Sequence, residues 1–330
     1  MQSPFRFPGS KQNLIDYIAG IVKQNLLFRC DFYETHSGGA SLSLGLLERG
    51  VIARTTLIER DPLIYAFWKS VTHKSEDLCA RIGRLVPSLK TWQEQQKYLQ
   101  RGAERTYSMV EMGAACLFLN RTSFSGILGA GPIGGKKQSS DYPIGCRFNK
   151  DRLVSQIRQI AKYRNLITAV FSDAVSYLVS RRGRLDKGSC LVYLDPPYFL
   201  QGRRLYRYHY ELADHQRLSA TACDLPCPWI VSYDDHATIR QLFAKQKIVP
   251  IFLNYAVKQS RKVQELLISN IHLSQPHYDS STRKEGTETQ QTLQGCQAED
   301  RRQTAMNPAN LSGHRVIRNS GSGARLIPAR

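Results

Sequence analysis

The chain has 330 residues, enough to close a sizeable core as one large domain or two moderate ones, and no apolar run approaches the ~20 residues of a membrane span. Its formal charge of +19 and pI near 9.7 point to polyanionic partners, nucleic acid first and an anionic membrane surface second. Eight cysteines are scattered without a Cys-x-x-Cys pair, and Cys223 and Cys227 have no second pair to complete a zinc site, so a reduced, cytosolic, metal-free protein is expected.

At the N-terminus, Phe5-Arg6-Phe7-Pro8-Gly9-Ser10-Lys11 sets two aromatics, a Pro-Gly turn and a lysine before an amphipathic helix over 13–24. Arg6, Lys11 and Asp16 break any secretory-leader pattern. A strand over 30–34 runs into Thr35-His36-Ser37-Gly38-Gly39-Ala40-Ser41 and then a helix over 42–49. Strand, glycine turn and helix are the first half of a nucleotide-type βαβ unit. A second strand, 55–58, ends in Glu59, about 20 residues after the turn, where such folds place an acid for ribose hydroxyls. The turn lacks the full Gly-x-Gly-x-x-Gly pattern and the Lys-Ser/Thr ending of a phosphate loop, which argues against a dinucleotide or a triphosphate.

A helix starts over 61–68, with Pro62 early, and residues 74–152 then break the βα rhythm. Helical patterns cover 75–85, 92–100 and 106–118. Next comes Asn120-Arg121-Thr122-Ser123-Phe124-Ser125-Gly126, then a glycine-rich stretch, 129–135, with Lys136 and Lys137. This region carries 13 Lys or Arg against 7 acids, and basic side chains on such a loop can follow a phosphate backbone.

After a helix over 151–163, a strand over 166–172 reaches Asp173, a fit N-cap for a helix over 174–180. The run Cys190-Leu191-Val192-Tyr193-Leu194 ends abruptly in Asp195-Pro196-Pro197-Tyr198. Two prolines cannot continue a ladder, so the strand stops there, where open α/β sheets bind ligands. The carboxylate can accept one N–H of a planar amine and a carbonyl of the turn the other, while the ring stacks on the base. Over 202–210, Arg203, Arg204 and Arg207 alternate with tyrosines, a composition suited to phosphates and unstacked bases. Strands over 229–233, 248–253 and 265–269, with a helix over 237–244, bring the strand total to seven. Residues 271–330 are polar without periodicity and are expected to be disordered.

The Phe-Pro-Gly-Ser-Lys start, the Glu-x-x-Ser-Gly-Gly-Ala turn, the strand-ending acid, Asn-Arg-Thr-x-Phe and Asp-Pro-Pro-Tyr occur in that order. Over roughly 3–270 the chain thereby resembles the DNA adenine-N6 methyltransferases of the Dam-like D12 class. The resemblance implies an α/β fold, a seven-stranded doubly wound Rossmann-like methyltransferase sheet with a mostly helical target-recognition insert. The segments are then 1–73 (cofactor motifs), 74–152 (insert), 153–270 (catalytic part) and 271–330 (tail). It implies S-adenosyl-L-methionine as cofactor, held by Phe7, Lys11, Glu34, Ser37, Gly38, Gly39, Glu59, Asp173 and Asp195. Double-stranded DNA would be met by Asn120, Arg121, Thr122, Phe124, Lys136, Lys137, Arg203, Arg204 and Arg207. Asp195, Pro196, Pro197 and Tyr198 would carry the transfer to N6 of an extruded adenine.

Two departures stand out: Thr35-His36 where the family has Pro-Phe, and Ser125 where it has Asn. His36 could still cover the cofactor as a flat ring. Cytosine N4 makes the same demands on the corner, and a catalytically inactive DNA-binding module is the alternative from another class. Ring-carbon methylation of cytosine needs a thiolate nucleophile and is disfavoured. A cytoplasmic monomer or weak dimer is expected, and the resemblance is compatible with a restriction–modification system beside a separate endonuclease or with an orphan or phage methylase.

Overall fold

Apolar strand-length runs that alternate with amphipathic helices feed a parallel sheet with helices on both faces. The computed structural model describes residues 1–7, 9–185, 190–255 and 261–274. Its strands are β1 (Asp31–Thr35), β2 (Arg54–Glu59), β3 (Ile167–Phe171), β4 (Cys190–Leu194), β5 (Trp229–Asp234), β6 (Lys247–Tyr255) and β7 (Arg261–Ser269). They form one sheet in the order β3-β2-β1-β4-β5-β7-β6. The first five run parallel, and β7 lies antiparallel between β5 and β6. This is the Rossmann-like methyltransferase sheet the sequence leads one to expect. Every residue of β4 is buried, which explains an apolar run without alternation. Pro250 sits in β6, at the sheet's edge, where a missing N–H costs least.

The helices are α1 (Ile15–Gln24), α2 (Ser41–Glu48), α3 (Pro62–His73), α4 (Ser75–Arg84), α5 (Leu89–Gln95), α6 (Ala103–Thr106), α7 (Met109–Thr122), α8 (Lys150–Ala161), α9 (Ala174–Arg181), α10 (Gly202–Leu205), α11 (Leu212–Cys223) and α12 (Ala237–Leu242). α1 buries Ile15, Ile18, Ile21 and Val22 as one stripe. α3 starts on Asp61, whose side chain accepts the Leu63 N–H, with Pro62 at its first position. α7 starts later than its pattern suggests, because Ser108 and Glu111 form a reciprocal capping box.

Two expectations shift. The sequence gives no sign of α11, because its buried face is His215, Leu218, Ser219 and Ala222, half of it polar. Residues 271–274, expected in the tail, dock on α1 instead. There Asn25 Nδ2 donates to the His272 carbonyl at 2.9 Å, the Tyr17 hydroxyl donates to the Ser274 carbonyl, and Leu273 is buried. The disorder expected beyond them lies outside the described residues. Met1–Arg283 forms one compact unit; the second unit, Lys284–Arg330, is likewise outside them. Among the described residues no helix is long and apolar enough to cross a membrane.

What positions the site is the β1–β4 pairing, which sets Thr35 opposite Leu194. The chain runs outward to β2 and β3 on one side and to β5 on the other, so the strand order reverses there. A crevice forms beyond the carboxyl ends of strands at such a switch point. The turns after β1 and β4, 160 residues apart in sequence (Thr35 to Asp195), therefore open side by side.

Candidate active site

One wall is the corner after β4. Asp195 Oδ1 accepts a bond from the Ser232 hydroxyl at 2.6 Å and pairs with Lys11 Nζ at 2.9 Å. Both contacts fall on Oδ1, and among the described residues Oδ2 makes none. The following turn is fixed by Asp234, whose carboxylate accepts the N–H groups of Phe199 and Leu200 at 2.8 and 3.0 Å. Lys11, only 4% exposed, also donates to the Gly9 carbonyl at 3.0 Å and lies 3.5 Å from Glu265 Oε2. The Tyr198 hydroxyl donates to Glu265 Oε1 at 2.7 Å and receives a longer contact, 3.4 Å, from Lys11. Burial alone would lower the Lys11 pKa, but the Asp195 and Glu265 carboxylates outweigh it and hold the ammonium well above its ordinary value. The corner is thus a buried ion cluster of two acids around one lysine.

The other wall is the glycine turn after β1. Gly38 has φ +45°, a conformation that side-chain-bearing residues rarely adopt. Its carbonyl accepts the Trp68 indole N–H at 2.8 Å, and its N–H is bonded to Glu59 at 3.0 Å. Glu59 also accepts the Asp61 N–H at 2.9 Å, and Glu34 accepts the Ser43 N–H at 3.1 Å in the first turn of α2. Burial pushes both glutamates up to about 7. No ion pair reaches either of them among the described residues. The His36 ring is held at both nitrogens, Nδ1 by the Thr35 hydroxyl at 3.0 Å and Nε2 by the Tyr210 hydroxyl at 2.8 Å. Burial lowers its pKa to about 4, so the imidazole is neutral at ordinary pH.

A single cleft joins the walls, enclosing about 980 Å³ with its open mouth included. Among the residues expected to bind cofactor, Phe7, Lys11, Glu34, Ser37, Gly38, Gly39, Glu59 and Asp195 all line it; so does Pro197. Asp173 does not. Its carboxylate caps α9 by accepting the Ser176 N–H at 3.1 Å and stands 3.8 Å from Arg60 Nη1. Pro196 is buried in the corner and Tyr198 lies outside the cleft lining, whereas Tyr206, edge-on to Tyr198 at 6.3 Å, is one of the rings that line it.

The residues expected at DNA divide in two. Lys136, Lys137, Arg203 and Arg204 are exposed, and Phe124 is half-buried ahead of the glycine-rich stretch. Asn120 and Thr122 correct the expectation. Both are fully buried, Thr122 bonded back to the Phe118 carbonyl at 2.7 Å and Asn120 to the backbone of Arg6 and Gly126, so neither side chain is presented to a groove. Arg121 donates through Nε to the Pro4 carbonyl at 2.6 Å. Arg207 is turned inward as well, paired with the buried Asp61 at 3.1 Å and bonded to the Leu99 carbonyl at 2.8 Å.

Sequence reasoning missed Glu265, Ser232 and Asp234, the supports of the corner, and Ile127 and Leu128, which complete the cleft wall. Glu265 left one readable trace: an acid set inside the strand-forming run Val263-Gln264-Glu265-Leu266-Leu267-Ile268. Such an acid is buried only with a partner.

The profile of the D12 class N6 adenine-specific DNA methyltransferases matches residues 7–257, and the chain belongs to that family. No curated protein matches it in sequence. Among solved structures it is similar to a Pyrococcus horikoshii protein described provisionally as an RNA methyltransferase, with 9% identity, TM-score 0.36, and 80% of this chain and 83% of that one covered. It is also similar to a precorrin-6y C5,15-methyltransferase from Geobacter metallireducens GS-15, with 8% identity, TM-score 0.33, and coverage of 80% and 92%. The strand order of the chain itself, rather than either distant likeness, defines the fold.

Proposed function

We propose that this methyltransferase moves the methyl group of S-adenosyl-L-methionine to N6 of an adenine extruded from duplex DNA. The observation that carries the reading is the shared cleft: the Asp195 corner and the glycine turn open on the same space. The cleft's charge suits the cofactor, since among the described residues no ion pair reaches Glu34 or Glu59, while the lining cations Lys11, Arg60 and Arg207 are already matched to Asp195, Asp173 and Asp61. A sulfonium-and-ammonium ligand supplies the missing positive charge. When bound, S-adenosyl-L-methionine provides a methyl group already activated by that charge.

The chain's own work is orientation. Asp195 Oδ2 and the Pro196 carbonyl accept the two N–H groups of the amine, which frees the nitrogen lone pair from the ring for in-line attack. Phe7, Glu34, Ser37, Gly38, Gly39 and Glu59 would hold the cofactor, which would supply the methyl group that replaces one amine hydrogen, and the Asp195 carboxylate would take the proton the amine loses. Lys11 and Ser232 fix Oδ1, so Oδ2 is the oxygen left to the substrate. Tyr198 and Tyr206 flank the base with aromatic surface. Residues 74–152 act as the target-recognition insert, with Lys136 and Lys137 on phosphates and Arg203 and Arg204 beside the extruded strand. The setting is cytoplasmic, beside a separate endonuclease or as an orphan or phage methylase.

The test is incubation of the full chain with labelled cofactor and duplex DNA, followed by nucleoside analysis. N6-methyladenine is expected. N4-methylcytosine as the sole product would overturn the base assignment, and specific DNA binding without cofactor uptake would favour an inactive module.

A further inference from the structure

Asn120 is fully buried at the C-terminal end of α7, yet among the described residues its side-chain amide bonds nothing in its own helix. Its Oδ1 accepts the Arg6 N–H at 2.8 Å, and its Nδ2 donates to the Arg6 carbonyl at 2.8 Å and the Gly126 carbonyl at 2.7 Å. The amide thus pairs with both backbone groups of one residue, as a neighbouring strand would. Arg121, next in sequence, holds the Pro4 carbonyl at 2.6 Å. Gly126 completes the grip: it has φ +76°, and a Cβ there would lie 1.9 Å from the Arg6 carbonyl oxygen. Three members of one seven-residue motif therefore close on residues 4–6, more than a hundred positions away.

The gripped segment walls the cleft. Phe5 and Phe7, on either side of Arg6, both line the cleft, and a Cβ added to Gly39 would lie 3.4 Å from the Phe7 ring and 3.6 Å from Phe5 Cβ. Ile127 and Leu128, directly after the motif, line the same space. Both halves of this wall, the N-terminal strap and the start of the insert's glycine-rich stretch, meet at Asn120.

We propose that Asn120 is a positioning residue for the cofactor, clamping the Phe5–Phe7 strap over the glycine turn, and that Arg121 and Gly126 serve the same clamp. The proposal rests on the reading of the cleft as the S-adenosyl-L-methionine site. It assigns the Asn-Arg-Thr-x-Phe-x-Gly motif an internal role: the motif ties the insert to the cofactor pocket and leaves base and phosphate contact to the exposed residues beyond it.

The experiment uses the full chain, wild type and Asn120→Ala, with S-adenosyl-L-methionine titrated calorimetrically, duplex DNA binding measured separately, and amide exchange followed at Arg6. The expected result is cofactor affinity about 10-fold weaker, the size of a lost ~1.4 kcal/mol, with DNA affinity within about 2-fold of wild type. Exchange at the Arg6 amide should speed up while Phe32 in β1 keeps its protection. Arg121→Met removes one bond from the less buried side of the clamp and should give the same pattern at smaller amplitude, which keeps the test open if Asn120→Ala fails to fold. Unchanged cofactor affinity in a variant that loses Arg6 protection overturns the clamp, as does a loss of DNA affinity alone. If wild type itself takes up no cofactor, the cleft reading fails instead, an outcome visible before any variant is made.

Discussion

The two walls of the cleft solve the problem of buried charge in opposite ways. At the corner, Lys11 sits between Asp195 and Glu265, and Ser232 and Tyr198 take further bonds, so each charge meets its opposite before any ligand arrives. At the glycine turn, Glu34 and Glu59 are bonded, among the described residues, to backbone N–H groups and a hydroxyl-bearing neighbour, and burial pushes both up to about 7. A wall of prepaired charges holds its shape and suits chemistry that depends on orientation. A wall of unmatched acids is completed by a cation and suits binding. On the proposed function, catalysis belongs to one side of the cleft and cofactor capture to the other.

The sharpest way to break that division is Asp195→Ala. It should lower kcat by about 1,000-fold or more, because the amine loses its main acceptor, while DNA affinity stays close to wild type. Methyl transfer measured under saturating cofactor checks this. A variant that transfers normally removes Asp195 from the chemistry.

The binding wall is tested by pH. Glu34 and Glu59 carry folded pKa values of about 7, above their unfolded range, so their protonated forms favour folding. That contribution is complete below the unfolded pKa and is lost as pH rises through about 7. Between pH 6 and pH 8 the ligand-free chain should lose about 1 kcal/mol of stability per glutamate. Cofactor affinity should move the other way, since only the ionised acids attract a cation. It should rise about 10-fold per glutamate over the same interval, read by calorimetry at each pH. Glu59→Gln should flatten both trends. His36, pushed down to about 4, contributes nothing to either over that range.

Glu265→Gln probes the corner without emptying it. The amide still accepts from Tyr198, but Lys11 then faces one carboxylate instead of two. We expect kcat to fall about 10-fold with the cofactor KM within about 2-fold, together with some loss of stability from the disturbed ion cluster. A rise in the cofactor KM alone would instead place Glu265 with the binding wall.

Much of the cleft is legible in the sequence because strand ends announce themselves. A glycine turn after a β-forming run and an acid before two prolines each mark where a strand stops, and sheet topology then sets the two turns side by side. The supports of the corner are not legible in that way. Ser232 and Glu265 act from β5 and β7, and an ordinary serine or glutamate in a strand says nothing about which neighbouring turn it will reach. Asn120 misleads for a related reason: next to a basic, glycine-rich loop it reads as a surface contact, and only the long-range bonds to Arg6 show that it faces inward. α11 escapes notice because a buried His215, bonded to the Tyr233 hydroxyl at 2.8 Å, stands where periodicity looks for an apolar residue.

The smallest effect tests the edge of the binding wall. By resemblance Asp173 should contact the cofactor, yet it caps α9 through the Ser176 N–H and lies outside the cleft lining. Asp173→Ala should therefore cost about 1 kcal/mol of stability, the usual loss for an N-cap, and lower the melting temperature by a few degrees. Its effect on cofactor affinity should stay within about 2-fold. The two readouts separate the roles, since a cap acts on the folded chain with or without ligand, whereas a ligand contact acts only when the cleft is filled. A 10-fold weaker cofactor with an unchanged melting temperature would return Asp173 to the binding wall and extend that wall past Arg60 toward the end of β3.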